Sequence, residues 1–140
     1  MRKIVLISAL LLTTNAFGKE LSSFEEIKAA AAQGEHIHIA VDFSQCRALQ
    51  KSPAMNNIGV FTPETLQITQ HAIVTSFTHF TLNSPTLPNR PTIEFIKYRI
   101  DNRNIVNVTM QTLDATNYAR LGETMGWSCP LATAAKIYNG

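Results

Sequence analysis

From His36 the chain alternates. Ile37, Ile39, Val41 and Phe43 fall on one side, and His36, His38, Ala40 and Asp42 on the other. A period of two is that of a strand with one face in a core. The preceding segment has a different period: Phe24, Ile27 and Ala31 recur at helical spacing, which gives one narrow apolar stripe. Ser23 with Glu26 three residues later forms a capping box, and Gly34 suits a left-handed stop just past the end. The pattern predicts a helix over 24–32, then a strand over 36–43.

Three longer runs follow, over 71–82, 92–100 and 105–113, all rich in β-branched and aromatic residues and separated by turn formers. They predict consecutive antiparallel strands, a meander. The clearest hairpin turns at Asp101-Asn102-Arg103-Asn104. Its first strand sets Glu94, Ile96, Tyr98 and Ile100 against Ile93, Phe95, Lys97 and Arg99, and its second sets Val106, Val108 and Met110 against Asn107, Thr109 and Gln111. The run over 71–82 has apolar groups on both sides, as expected of a strand packed on two faces or of a strongly curled sheet. Weaker signals predict a short strand over 58–61 with its return at 66–69, and an irregular connection over 47–57 in which Leu49 and Met55 cap the core. Pro85, Pro88 and Pro91 predict a connecting loop over 84–91, because proline cannot donate to a ladder. Asp114 opens a turn or short helix, and a last strand or capping segment lies around Leu131, Ile137 and Tyr138. The fold class is α+β and β-rich: an antiparallel meander, open, curled or barrel-like, packed by an N-terminal helix.

Composition changes the picture at the N-terminus. Arg2 and Lys3 precede an apolar run over 4–12, too short to span a bilayer, and Ala16-Phe17-Gly18 places small residues at a cleavage site. Residues 1–18 read as a signal peptide cut after Gly18, leaving residues 19–140 as a single domain with no integral membrane segment. Without Arg2 and Lys3, ten basic and ten acidic residues remain. A net charge of zero without a basic cluster gives no electrostatic reason to expect nucleic acid. Export also implies an oxidising compartment, where Cys46 and Cys129 pair as one disulfide, with Trp127 packed over it.

Candidate chemistry is sparse, and no cofactor motif is present. His36 and His38 point the same way from a strand, with Asp42 as a third potential metal ligand; the same pattern also describes a solvated strand face. His79 between Phe77 and Phe80 is a base in an apolar setting, or a histidine satisfied by a core hydrogen bond. Phe77, His79, Phe80, Tyr98 and Trp127 are the candidate ligand or partner contacts.

Several segments together carry a resemblance: Leu21-Ser-Ser-Phe-Glu-Glu-Ile-Lys-Ala-Ala leading through Gly34, Val41-Asp-Phe-Ser-Gln-Cys46, Phe77-Thr-His-Phe-Thr81, Tyr98-Arg-Ile100 and the late Cys129. The chain resembles the VirK family of small exported bacterial proteins. The resemblance implies a periplasmic or secreted protein of Gram-negative bacteria, often associated with virulence, and brings no catalytic residues. The leading expectation is therefore a non-catalytic exported binding module with an unknown protein partner. The alternatives are a carrier of a small apolar ligand inside a curled sheet and a metal-dependent enzyme or hydrolase using His36, His38, Asp42 or His79.

Overall fold

The structure, a computed structural model, describes residues 18–84 and 87–140. The expected leader over 1–18 lies, as far as residue 17, outside the described residues. The helix α1 (Phe24–Ala32) follows its sequence signals: Ser23 caps it by accepting from the Glu26 N–H, and Gly34 adopts φ +79° after the last turn. The capping box is shifted by one residue, since the Glu26 carboxylate accepts from the Ser22 N–H at 2.7 Å. Those bonds, Ser22 Oγ foremost after its N–H, hold the Glu26 carboxyl below its ordinary value.

Nine strands make two antiparallel sheets among the described residues. The smaller has the order β3 (Ile58–Phe61), β1 (Ile37–Asp42), β9 (Ala135–Asn139). The larger is a meander of β4 (Gln67–Ile68), β5 (Ala72–Ser84), β6 (Leu87–Asp101), β7 (Ile105–Asp114) and β8 (Arg120–Pro130), with β2 (Arg47–Leu49) added beside β8. Phe43, on a short 3-10 turn after β1, carries the chain from one sheet to the other. The core lies between the sheets and under α1: Ile37, Ile39 and Val41 from β1, Phe24 and Ile27 from the helix, and Ile73, Tyr98, Ile100, Val106 and Val108 from the meander. Cys46 and Cys129 form the disulfide, with Cα atoms 4.4 Å apart.

Several expectations are corrected. Among the described residues the structure is mostly β with a single nine-residue helix, so α+β describes it only in part. The large sheet does not close, because β2 and β4 remain its edges. Of the expected proline-rich loop, residues 85 and 86 lie outside the described residues, and from Leu87 the chain is strand: β6 begins there, and Pro88 pairs with Asn83. Pairing with β7 starts only at Thr92, so the earlier part of β6 runs past its neighbour and needs no donor there. The segment near 66–69 pairs with β5 instead of β3. The supposedly irregular 47–57 contains β2, Asp114 opens a turn without a helix, and the tail holds two strands where one was expected.

At the tip of the β6–β7 hairpin, Asp101 accepts from the N–H groups of Arg103 and Ile105 and from the Arg103 side chain. Burial pushes its carboxyl up, but these donors outweigh it and hold the group below its ordinary value. Asn104 Oδ1 accepts from the Phe24 N–H at 2.7 Å, tying the start of the helix to the hairpin tip.

Candidate functional site

Pairing across β5, β6, β7 and β8 sets the inner face of the large sheet out in rows. Ile73, Ile100, Val106 and Cys129 form the first, and Thr75, Tyr98, Val108 and Trp127 the second; all eight are buried. Phe77, Ile96, Met110 and Met125 form the third, of which only Met110 is fully covered. The fourth changes chemistry: His79, Glu94, Thr112, Leu121.

Phe77, Ile96 and Met110 of the third row and His79 and Glu94 of the fourth line a cleft of about 380 Å³ between the large sheet and the segment running from Met55 into β3. Phe61 forms an aromatic wall with Phe77 and Tyr98, its ring centroid 4.8 and 4.5 Å from theirs. Trp127 and Phe43 meet edge to face at 5.5 Å at the opposite side. The indole Nε1–H donates to the Pro53 carbonyl at 3.0 Å, which orients the Trp127 ring. Burial pushes the Tyr98 phenol up to about 12, so it stays neutral.

The polar end of the cleft is unusual. The Glu94 side chain is only 9% exposed, yet its Oε1 has no hydrogen-bond partner, and neither does the buried Oγ1 of Thr112, its neighbour in register. Glu94 Oε2 receives a single long contact from His79 Nδ1 at 3.4 Å, from a side chain 56% exposed. Buried polar groups are normally satisfied, and a bare carboxylate oxygen is costly.

The structure brings four of the five expected contacts, Phe77, His79, Tyr98 and Trp127, to this one cleft. Phe80 is the exception: it points from the outer face of the sheet and is 62% exposed, near Leu82 and Phe95. Trp127 shares its face of β8 with Cys129, one row away. The metal candidates do not converge. His38 Nδ1 bonds to Thr62 Oγ1 at 2.7 Å, and Asp42 accepts from Ser44 and Gln45. The Ser44 and Gln45 bonds hold the Asp42 carboxyl below its ordinary value. Among the described residues no group of three His, Cys, Asp or Glu side chains is placed to hold a metal ion. Sequence reasoning passed over Glu94 as a site residue, although its position on the face of Ile96, Tyr98 and Ile100 was the signal that could have found it. Phe61 and Phe43 carried no such signal, since their role depends on how the two sheets meet.

Among the described residues no helix is long and apolar enough to cross a membrane. The crystal structure of lpg1832, a VirK family protein from Legionella pneumophila, is similar with a TM-score of 0.77 and 27% identity, covering 84% of this chain and 97% of that one. An uncharacterized protein of the pinF2 3′ region of Rhizobium radiobacter is 26% identical over 113 residues, 79% of this chain and 76% of its own length. The uncharacterized protein y4wH of Sinorhizobium fredii is 24% identical over 121 residues, 85% and 81% of the two chains. The VirK protein family matches residues 20–118, from the residue before Leu21 through β7. By that match the chain belongs to the VirK family.

Proposed function

We propose that this VirK-family chain is an exported, non-catalytic binding module whose inter-sheet cleft receives the apolar part of a small ligand. The observation that carries the reading is the cleft itself: about 380 Å³, walled by Phe61, Phe77, Tyr98 and Trp127. That volume and lining suit a small organic molecule. Export rests on Arg2, Lys3, the apolar run and the Ala16-Phe17-Gly18 pattern, and the disulfide fits an oxidising compartment, periplasmic or external. A part in virulence rests on the family resemblance alone.

The test uses the neutral apolar dye N-phenyl-1-naphthylamine, titrated into the mature protein. Saturable one-to-one binding is expected, with quenching of Trp127, the only tryptophan in the chain, and loss of binding when Ile96→Trp fills the cleft. Binding that ignores this substitution would count against the reading. Mature protein recovered from the exported fraction should begin at Lys19 and weigh two mass units less than its reduced form.

A second reading has its own observation: Phe80, Leu82 and Phe95 are 62%, 55% and 42% exposed on the outer face, a patch that suits a protein partner. Phe80→Ser should then abolish partner capture while dye binding stays unchanged.

A further inference from the structure

We infer that the ligand of this cleft is a small amphipathic primary amine, its ammonium held by Glu94 and its apolar body by the aromatic wall. The inference rests on the cleft being a ligand site and adds the chemistry of the head group. Glu94 and Thr112 face each other in register on β6 and β7, and both present a buried oxygen with no partner, Oε1 and Oγ1. Of the two, Glu94 lines the cleft, and its carboxylate oxygen, which can only accept, calls for a donor from the cleft side. A primary ammonium carries three N–H groups, enough for Glu94 Oε1 and for further acceptors at the polar end of the cleft.

Charge selects the same class. His79 is the basic side chain within ion-pair distance of Glu94 among the described residues, and its contact, at 3.4 Å, is at the long edge of a hydrogen bond. It is an ion pair only when the imidazole is protonated. As His79 is more than half exposed, a ligand ammonium can displace it outward and take its place. A carboxylate ligand would instead meet Glu94 with like charge, and a neutral one would leave Oε1 without a proton donor of matching charge.

The body of the ligand follows from the third row. Phe77 and Ile96 lie beside His79 and Glu94 on the same face, and Phe61 and Tyr98 complete the aromatic wall beyond them. The ammonium end therefore stands a row away from the rings, as it does in an aryl group joined to an amine by a short alkyl chain.

Three probes matched in body settle the matter: 4-phenylbutylamine, 4-phenylbutanol and 4-phenylbutanoate, each titrated into the mature, disulfide-bonded protein and followed by Trp127 fluorescence and calorimetry. The amine is expected to bind at least about tenfold more tightly than the alcohol, the gain typical of a charge-assisted hydrogen bond, and the acid more weakly than either. Glu94→Gln should remove the advantage of the amine over the alcohol, and a cooperative urea transition of that variant shows that it is folded. Should that variant not fold, Glu94→Asp, which withdraws the carboxylate by one methylene, carries the same expectation. Equal binding of amine and alcohol overturns the head-group inference and leaves the cleft reading standing. Tightest binding by the acid overturns it likewise. If none of the three binds, and the neutral dye does not either, both readings fall.

Discussion

The two ends of the large sheet's inner face are built differently. At the hairpin-tip end, Ile73, Ile100, Val106 and Cys129 are buried under β1 and the helix, and every device there holds something shut: the disulfide, the Asp101 turn, the Asn104 bond to the helix start. At the other end the same four strands present His79, Glu94 and Thr112, two of them with unmet hydrogen-bonding capacity. On the reading proposed above, one sheet divides its length between stability and reception. Residues chosen for a binding site commonly lower stability where they stand.

The comparison breaks most easily at the disulfide. Cys46 and Cys129 are separated by 83 residues, and losing a cross-link over so long a loop costs about 4 kcal/mol in the chain-entropy account. Urea unfolding of oxidised and reduced protein, followed through Trp127, should differ by about that amount. Paired truncations then sharpen the contrast. Ile39→Ala, in the covered half, should cost about 3 kcal/mol, whereas Ile96→Ala, half-buried at the cleft, should cost about 1 kcal/mol. Equal losses would mean that the cleft is as tightly built as the core.

Glu94→Met tests the other side. Replacing a buried, poorly satisfied carboxylate by an apolar side chain of similar volume should leave stability unchanged or raise it by about 1 kcal/mol, while the advantage of the amine over the alcohol disappears. A loss above about 2 kcal/mol would show that Glu94 is structural.

The smallest effect concerns acid. Asp101 has a carboxyl pKa held below its ordinary value in the folded protein, so its contribution is present above the unfolded value near 4 and is lost as pH falls through the lower folded value. Asp101→Asn should cost about 1 kcal/mol at neutral pH, and the difference from the natural protein should shrink as pH falls below the ordinary carboxylate value. Asp114, at the opposite end of β7, is also held low, by bonds from the Thr116 side chain and N–H and from Arg90.

Much of the covered half was legible in the sequence. The helix, β1 and the β6–β7 hairpin each carry a complete local signal, a cap, an alternation or a turn, and each formed where that signal stood. β8 was hidden because Gly122, Gly126 and Pro130 interrupt it, although Met125, Trp127 and Cys129 alternate correctly onto its inner face. β2 is three residues long and β4 two, so neither has a pattern of its own, and their partners are chosen by tertiary placement. The proline rule misled at 87–91 because it forbids a donor only where a neighbouring strand asks for one. At the cleft, the alternation gave the right face for Glu94, but an unmet hydrogen bond is a property of neighbours and has no spelling in one strand.

The position of β1 has a consequence for the order in which the molecule can be finished. It is the middle strand of the small sheet, paired with β3 on one side and with β9 on the other, Ile37 opposite Asn139. A ribosome delivering the chain from its N-terminus can complete the hairpins of the meander one after another. β1, among the first strands to emerge, must wait for one of the last, with Ile39 and Val41 lacking half their cover until residues 135–139 arrive. Under the export proposed above, a fold that cannot close early would keep the chain in a threadable state.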